Sequence, residues 1–398
     1  MSRAKGAPLE AMGELPTAVR LSIVIPCLNE EATLGSVLAK ARLSLERLGI
    51  SGELIVADNG SSDRSREIAV AHGARVVDVE MRGYGSALLS GIAASQGEFV
   101  IMGDADDTYD LADLQPFVAK LDDGYDIVIG NRFSGGISPG AMPFLHRYLG
   151  TPVLTWLARI LFKSPLGDIN CGLRGFRKTA LDHLNLRSTG MEFASEMIIK
   201  ASLNRLRIAE VPTTLSPSGR DREPHLRTWR DGWRHLRFLL LYSPSWLFLY
   251  PGIGLMIAGS AAMIVLLPGP LTIGSVVFDV HTLLFAALAV IIGYQAIVFS
   301  FGAKIFGVTE GLIPEDPRLE RLLRHINLEV GLLVGVLLCL AGLAGSGYAL
   351  ARWGETSFGQ LDYRDTLRIV IPSWTVLAVG SETVLGSFFF SILGLRRR

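Results

Sequence analysis

Charge is scarce in this chain and balanced where it occurs: Asp, Glu, Lys and Arg make up 19% of 398 residues, and 38 acidic side chains meet 38 basic ones. Such a chain offers no net positive field to a phosphodiester backbone, so no nucleic-acid partner is expected. Cysteine is scarcer still. Cys27, Cys171 and Cys339 lie far apart, with no Cys-x-x-Cys pair and no histidine at ligand spacing. That excludes a disulfide framework and a zinc site, and points to a reducing compartment for the part that carries chemistry. The first twenty residues mix charges with Gly and Pro and lack the apolar core of a signal peptide, so residues 1–20 are expected to form a flexible tail.

What the chain has in plenty is apolar residues, 49% of the total, and they are arranged in two ways. In the first part they come as short β-branched runs: Leu21 to Pro26, Glu53 to Ala57, Arg75 to Val79, Phe99 to Met102 and Asp126 to Gly130. The first three are followed by polar turn residues and then by stretches of helical length, running to about Leu48, through Ala71, and from Ser86 to Ser95. Strand and helix alternating at these intervals predict an α/β fold, a mostly parallel sheet with helices on both faces. Ligands of such sheets gather at the carboxyl ends of the strands.

The run ending at Met102 delivers Gly103-Asp104-Ala105-Asp106-Asp107 to that edge. Asp104 and Asp106 are one small residue apart, so in an extended turn both carboxylates reach one hard divalent cation, Mg2+ or Mn2+, and that cation can bridge diphosphate oxygens. Taken alone, Asp-x-Asp also describes a solvated acidic turn. The second strand ends in Asp58-Asn59-Gly60-Ser61-Ser62-Asp63, where Asp58 can accept from a base or ribose or simply close its own turn. Arg82-Gly83-Tyr84-Gly85 reads equally as a phosphate-facing turn and as a plain lead into a helix. After the last strand, Arg132 to Arg147 is a basic stretch broken by Gly and Pro, the composition of a functional loop. Glu192 and Glu196, four apart on a helix starting near Met191, share one face.

Ile23-Val24-Ile25-Pro26 with Asn29-Glu30, then Ala57 to Asp63, then Gly103-Asp104-Ala105-Asp106, resemble in order and spacing the nucleotide-sugar half of glycosyltransferase family 2. Gly130-Asn131-Arg132 and Asp168-Ile169-Asn170-Cys171-Gly172 resemble its dolichyl-phosphate mannose synthase branch, the polyprenyl-phosphate glycosyltransferases. The likeness covers roughly residues 20 to 240. It departs at Asn59, where many members carry a second Asp, and at Cys171, where many carry Ser. The resemblance implies a GT-A type, Rossmann-like catalytic domain. It also implies a UDP- or GDP-linked sugar donor held by Pro26, Asn29, Glu30, Asp58, Asp104 and Arg220, a metal held by Asp104 and Asp106, and an acceptor phosphate held by Arg132 and Arg147. At Glu192 and Glu196 it implies a structural or site-lining acid.

From about Trp246 the composition changes. Apolar runs cover Trp246 to Leu267, His281 to Phe301, Val330 to Leu350 and Ile369 to Leu393, each near the roughly 20 residues that a membrane-spanning helix needs. Ahead of them, Trp229 to Leu239 mixes aromatics and cations at helical spacing, as an amphipathic helix lying on anionic head groups does. Lys304, Arg318, Arg321 and Arg324 follow the second run and Arg396-Arg397-Arg398 close the chain, whereas the loop after the first run has neither Lys nor Arg. Arg352 and Arg364 after the third run dilute the asymmetry. The positive-inside rule then expects the amino-terminal domain, the middle loop and the tail in the cytosol, at the plasma membrane. Glu382 falls inside the fourth run, where an acid faces a partner or a cavity.

The expected plan is a tail (1–20), a GT-A domain (21–228), a juxtamembrane helix (229–244) and a transmembrane domain of four helices (245–398). The expected activity is metal-dependent, inverting transfer of one sugar from a nucleoside diphosphate to undecaprenyl or dolichyl phosphate, with Asp104, Asp106 and Arg132 as catalytic residues; the sequence is also compatible with a homo-oligomer. No strong general base is needed, because the acceptor phosphate is already an anion and catalysis is chiefly positioning. A processive polysaccharide synthase would share the donor fold, but Pro224 to Trp229 does not supply the Gln/Arg-x-x-Arg-Trp motif of that group. A flippase or scaffold with a non-catalytic domain predicts degraded site residues, whereas Asp58, Asp104, Asp106 and Arg132 are intact.

Overall fold

Strand β1 (Leu21–Cys27) is buried at every residue but Pro26. A strand covered on both faces has no polar side, which is why it reads in sequence as a continuous apolar run. It pairs in parallel with β2 (Gly52–Asp58) on one side and β4 (Phe99–Met102) on the other, and β2 extends to β3 (Arg75–Asp78). Beyond β4 lies β6 (Arg174–Arg177), antiparallel to both neighbours, then β5 (Ile127–Asn131) and β7 (Ile208–Pro212) as a parallel pair. The sheet order is β3-β2-β1-β4-β6-β5-β7, the mostly parallel α/β sheet that the alternation predicts. This computed structural model describes residues 18–219, 228–314 and 328–394. Arg220, the loop cations Arg318, Arg321 and Arg324, and the terminal arginines lie outside the described residues, as does most of the expected tail.

Helices α1 (Leu34–Leu48), α2 (Ser65–Ala71), α3 (Tyr84–Ala94) and α4 (Gln115–Asp122) connect the first five strands. α1 buries Leu34, Val37, Leu38 and Ala41, one stripe at helical spacing, and stops at Gly49, whose φ of 61° is a conformation glycine adopts freely. Because β2 and β4 flank β1 on opposite sides, the loops leaving β1 and β4 diverge and open a crevice at the carboxyl edge. Pro26 stands past the last β1–β4 pairing, Val24 with Met102, where a strand can lose an N–H without breaking its ladder.

β6 and the stretch that follows β5 differ from the sequence expectation. β6 is not among the predicted strands, because Arg174-Gly175-Phe176-Arg177 carries two arginines in four residues; Arg174 is nonetheless wholly buried. The stretch expected as loop from Arg132 to Arg147 is in part helical. It begins with the single turn α5 (Arg132–Gly135) and ends in a π-helical turn, His146–Gly150, that feeds α6 (Thr151–Phe162). After β6 come α7 (Lys178–Asp182), α8 (Phe193–Leu203) and, past β7, α9 (Thr228–Leu241).

The chain divides into two compact units, Met1–Phe238 and Leu239–Arg398, so the division falls within α9. In the second unit a π-helical turn, Ser245–Leu249, continues into α10 (Tyr250–Leu266), and a hairpin of β8 (Leu271–Ile273) and β9 (Val276–Phe278) leads to α11 (Val280–Thr309). Then come α12 (Leu328–Glu355) and α13 (Tyr363–Gly394). Four helical segments, of 22, 30, 28 and 32 residues, are long and apolar enough to cross a membrane. Their seams are built from glycine: a Cβ at Gly252 would lie 2.7 Å from the Gly293 carbonyl oxygen, and one at Gly342 2.6 Å from that of Ser373. Gly331, Gly335 and Gly345 on α12 likewise meet Ser387, Gly380 and Ser373 of α13, the close backbone approach that apolar solvent favours. Arg368 ties α13 to Asp279 before α11 and to the Leu266 carbonyl. Glu382 lies within α13, and its Oε2 is buried with no hydrogen-bond partner among the described residues.

Candidate active site

The β1 and β2 ends are stitched into one surface. Asn29, held at φ 57°, donates its N–H to Ser61 Oγ at 2.9 Å and accepts the Ser62 N–H on Oδ1 at 2.7 Å. Glu30 is buried, and its N–H donates to Ser65 Oγ at 2.8 Å. Asp58, 2% exposed, accepts from the Ser61 N–H at 3.2 Å and from Arg66 Nη1 at 2.9 Å. Arg66 also pairs with Asp78, and the hydrogen bond from its guanidinium, followed by its charge, holds the Asp78 carboxyl below its usual range. Asn59 spans from this edge to the next loop: Nδ2 donates to the Met81 carbonyl at 3.1 Å and Oδ1 accepts the Gly83 N–H at 2.8 Å.

The β4 end carries the acids. Asp107, at φ 59°, turns aside to Lys40 and Ser36 at 2.7 and 3.0 Å, while Thr33 Oγ1 anchors the Ala105 carbonyl at 2.7 Å. Asp106 Oδ1 accepts from Thr108 Oγ1 at 2.7 Å. Asp104 Oδ1 accepts the Tyr84 hydroxyl at 2.9 Å, and Oδ2 faces Gly172, where an added Cβ would come within 2.5 Å. Burial, and then the Asp104 charge, push the Tyr84 phenol well above its ordinary range, so it keeps the proton it donates. No group of three or more His, Cys, Asp or Glu converges into a metal cage among the described residues. Two half-buried carboxylates with a hollow left by Gly172 do suit a hard cation that completes its shell with diphosphate oxygens and water.

The β5 end carries Arg132. Asn131 caps α5, accepting the Phe133 and Ser134 N–H groups at 3.0 and 3.1 Å. The Arg132 guanidinium grips Asp168 through Nε and Nη2 at 2.6 and 2.8 Å. Burial opposes the charge on Arg132, but the Tyr109 and Asp168 side chains outweigh it and raise its pKa. The loop from Gly167 to Gly172 is held from both sides. Glu210 on β7 accepts the Gly167 and Asp168 N–H groups at 2.6 and 2.9 Å. Arg174 on β6 donates to the carbonyls of Ile169, Cys171 and Ala194 at 2.8, 2.8 and 2.6 Å. An arginine that ends on backbone carbonyls rather than on an acid is the reason so polar a sequence forms a buried strand.

Next to these groups is a cavity of about 580 Å³. Asp104, Tyr84, Tyr109, Arg132 and Asn170 line it together with apolar residues that include Leu145, Leu149, Leu154, Met191 and Leu236. Asn170 Oδ1 is buried with no hydrogen-bond partner among the described residues. His146 also lines the cavity, and burial together with the Arg132 charge lowers its pKa. Arg147 does not line it; its guanidinium lies over the Tyr148 ring, 5.6 Å from the centroid. The helical phase sets this, because Leu145, His146, Leu149, Gly150, Val153 and Leu154 share the cavity face and position 147 points elsewhere. Part of α9 closes the same cavity through Trp233 and His235, the latter 2.7 Å from Ser195 Oγ. Glu196 is buried, paired with Lys200 at 2.7 Å, and accepts the Arg187 and Ser188 N–H groups; it is a structural acid rather than an exposed one.

The fold and the acid-bearing strand edge define a glycosyltransferase of the GT-A type. The chain belongs to glycosyltransferase family 2: the family profile matches residues 22–184, and the profile of the family 2 C-terminal transmembrane region matches residues 302–394. It is 36% identical over 379 residues to the low-salt glycan biosynthesis hexosyltransferase Agl6 of Haloferax volcanii, covering 95% of this chain and 90% of that one. It is 35% identical over 193 residues to a dolichyl-phosphate hexose transferase of the same organism, covering 48% of this chain and 81% of that one. Among solved structures, glucosyl-3-phosphoglycerate synthase from Mycobacterium tuberculosis with phosphoglyceric acid aligns at a TM-score of 0.43 and 26% identity, over 60% of this chain and 85% of that one.

Proposed function

We infer that this transferase moves one hexose from a nucleoside diphosphate sugar to a polyprenyl phosphate on the cytosolic face of the membrane. The observation that carries the reading is the cavity: polar where Asp104, Arg132 and Asn170 line it and apolar along α6 and α9, it suits a ligand that is a phosphate at one end and hydrocarbon beyond. A hexose and a dolichyl phosphate also figure in the names of the relatives. The donor side is the surface of Asn29, Glu30 and Asp58, and Arg220 is proposed for its diphosphate.

Asp104 and Asp106 would hold the divalent cation. When bound, Mg2+ or Mn2+ neutralises the charge that develops on the departing diphosphate. Arg132, steadied by Asp168, presents its remaining N–H groups to the acceptor phosphate and aims one oxygen at the anomeric carbon. Attack in line with the leaving diphosphate inverts that centre. The acceptor oxygen carries no proton to remove, so the work of these side chains is orientation and exclusion of water. The experiment is incubation of the purified full chain with undecaprenyl or dolichyl phosphate and a panel of UDP- and GDP-hexoses, with products read by mass. Polyprenyl-phosphate hexose is expected from wild type and absent with Asp104→Asn or Asp106→Asn of native fold. Transfer that persists in excess chelator would overturn the metal assignment, and a panel with no lipid product would overturn the acceptor.

A further inference from the structure

Tyr109 stands between β4 and α4 on a segment whose backbone is held: it forms an antiparallel bridge with Leu215, and the Ser216 N–H donates to the Thr108 carbonyl at 2.9 Å. The residue is 5% exposed and lines the cavity with Asp104 and Arg132. Gly172 fixes where the ring stands. A Cβ there would lie 2.5 Å from Asp104 Oδ2 and 3.1 Å from Tyr109 Cε2, so carboxylate and ring flank the same glycine. A phenol has one proton to give and lone pairs with which to receive. The Tyr109 oxygen receives the Gly172 N–H at 2.9 Å, and among the described residues nothing accepts its proton. Tyr84 differs, since its proton goes to Asp104. Most buried hydroxyls find an acceptor; this one lines a cavity instead. Burial pushes the Tyr109 phenol well above its ordinary range, so the proton stays on oxygen at neutral pH.

We propose that Tyr109 is an acceptor-binding residue, its hydroxyl donating to one oxygen of the polyprenyl phosphate while Arg132 holds another and a third is left for attack. The inference rests on reading this cavity as the acceptor site, and adds a neutral donor to it. Arg132 spends its Nε and Nη2 edge on Asp168, so its hold on a phosphate comes from the remaining end of the guanidinium. A phosphate held from a single direction still turns about that contact. A second donor that arrives from another strand end, β4 rather than β5, stops the turning and fixes which oxygen meets the anomeric carbon. Because the phenol is uncharged, it orients the phosphate without adding a second cation that would draw charge away from the attacking oxygen.

The test measures binding of undecaprenyl phosphate, and in a second series dolichyl phosphate, to the full chain in detergent at neutral pH, with UDP and GDP binding measured separately. Tyr109→Phe should weaken acceptor binding by about tenfold, the factor a lost hydrogen bond to a charged group commonly yields, and leave nucleotide affinity unchanged. That variant also deprives the Gly172 N–H of its partner, so 3-fluorotyrosine installed at position 109 gives the deciding result. Fluorine makes the hydroxyl a stronger donor and a weaker acceptor. If the proton goes to the phosphate, acceptor binding tightens; a phenol that serves only Gly172 weakens it, as phenylalanine does. Acceptor binding that fails to tighten with 3-fluorotyrosine overturns the proposal, and so does a loss in Tyr109→Phe confined to nucleotide binding. A wild type that binds neither lipid phosphate overturns the acceptor reading beneath it, a result read on the unaltered chain alone.

Discussion

Arg132→Ala should damage two properties at once, and a second substitution should separate them. The guanidinium lies 2.6 and 2.8 Å from the Asp168 oxygens, with the two side chains 11% and 0% exposed. Exposed ion pairs are worth about 0–1 kcal/mol. This pair is shielded from water, and without the guanidinium Asp168 keeps, among the described residues, the Arg132 and Asn170 N–H groups, each at 3.2 Å. Stranding a buried carboxylate in this way costs about 3–5 kcal/mol. Arg132→Met with Asp168→Leu removes both charges and fills their volume, so most of that loss should return. Acceptor recognition should not return with it. One charge-assisted contact to a phosphate contributes about 1.5–3 kcal/mol, roughly tenfold to a hundredfold in kcat/KM, and the double variant still lacks it. The assay pairs thermal unfolding of the full chain with initial rates at varied polyprenyl phosphate and saturating donor. A double variant that regains both stability and acceptor kcat/KM would show that Arg132 only props the loop. Weakened nucleotide binding with intact acceptor kinetics would assign the arginine to the donor diphosphate.

Gly172→Ala places a Cβ 2.5 Å from Asp104 Oδ2, and a displacement near 1 Å should lower kcat by about a hundredfold while leaving circular dichroism unchanged; full turnover would remove that oxygen from the chemistry. Burial pushes the Cys27 and Cys171 thiols up to about 11 from an ordinary 9.0, so the folded state holds these protons longer than the unfolded one and stability should fall as pH rises from about 9 towards 11. Iodoacetamide labelling of these two sites in folded protein should keep rising beyond pH 10, and a plateau near 9 would contradict it. The amino-terminal domain, the loop about Arg321 and the tail after Leu395 should all be cytosolic; single cysteines there that react with an impermeant reagent in intact cells would refute the topology.

The first parallel strands were legible because burial on both faces forces β-branched apolar runs, and the placing of Asp58, Asp104 and Asp106 at the carboxyl edge because polar residues that close an apolar run mark a strand end. The apolar helices were legible from length alone, with Val280–Thr309 and Tyr363–Gly394 running some residues past the runs read from sequence. β6 was not legible: the Arg174 N–H groups are satisfied by carbonyls contributed from residues 169, 171 and 194, partners that no local pattern reveals. Arg147 and His146 differ by one residue, and which of them lines the cavity depends on helical phase through a segment that Gly and Pro made look irregular. Tyr84 carried a faint signal, an aromatic between two glycines, but its partner lies twenty residues away across the sheet edge. Glu192 and Glu196 read as neighbours on one helical face; the burial of Glu196 and its pairing with Lys200 were not legible, since spacing says which residues are neighbours and not which way the face turns.

The seam between α12 and α13 also bears on how the chain is made. Gly331, Gly335, Gly342 and Gly345 leave no room for a side chain against the facing helix, so each of the two helices offers the other a surface that lipid tails fill poorly. If both helices cross a bilayer, they should leave the translocon as one helical hairpin. A ribosome stalled, or a gene truncated, ahead of Tyr363 would leave α12 with its backbone groove open to lipid, a mark by which membrane quality control could single out the incomplete chain for degradation.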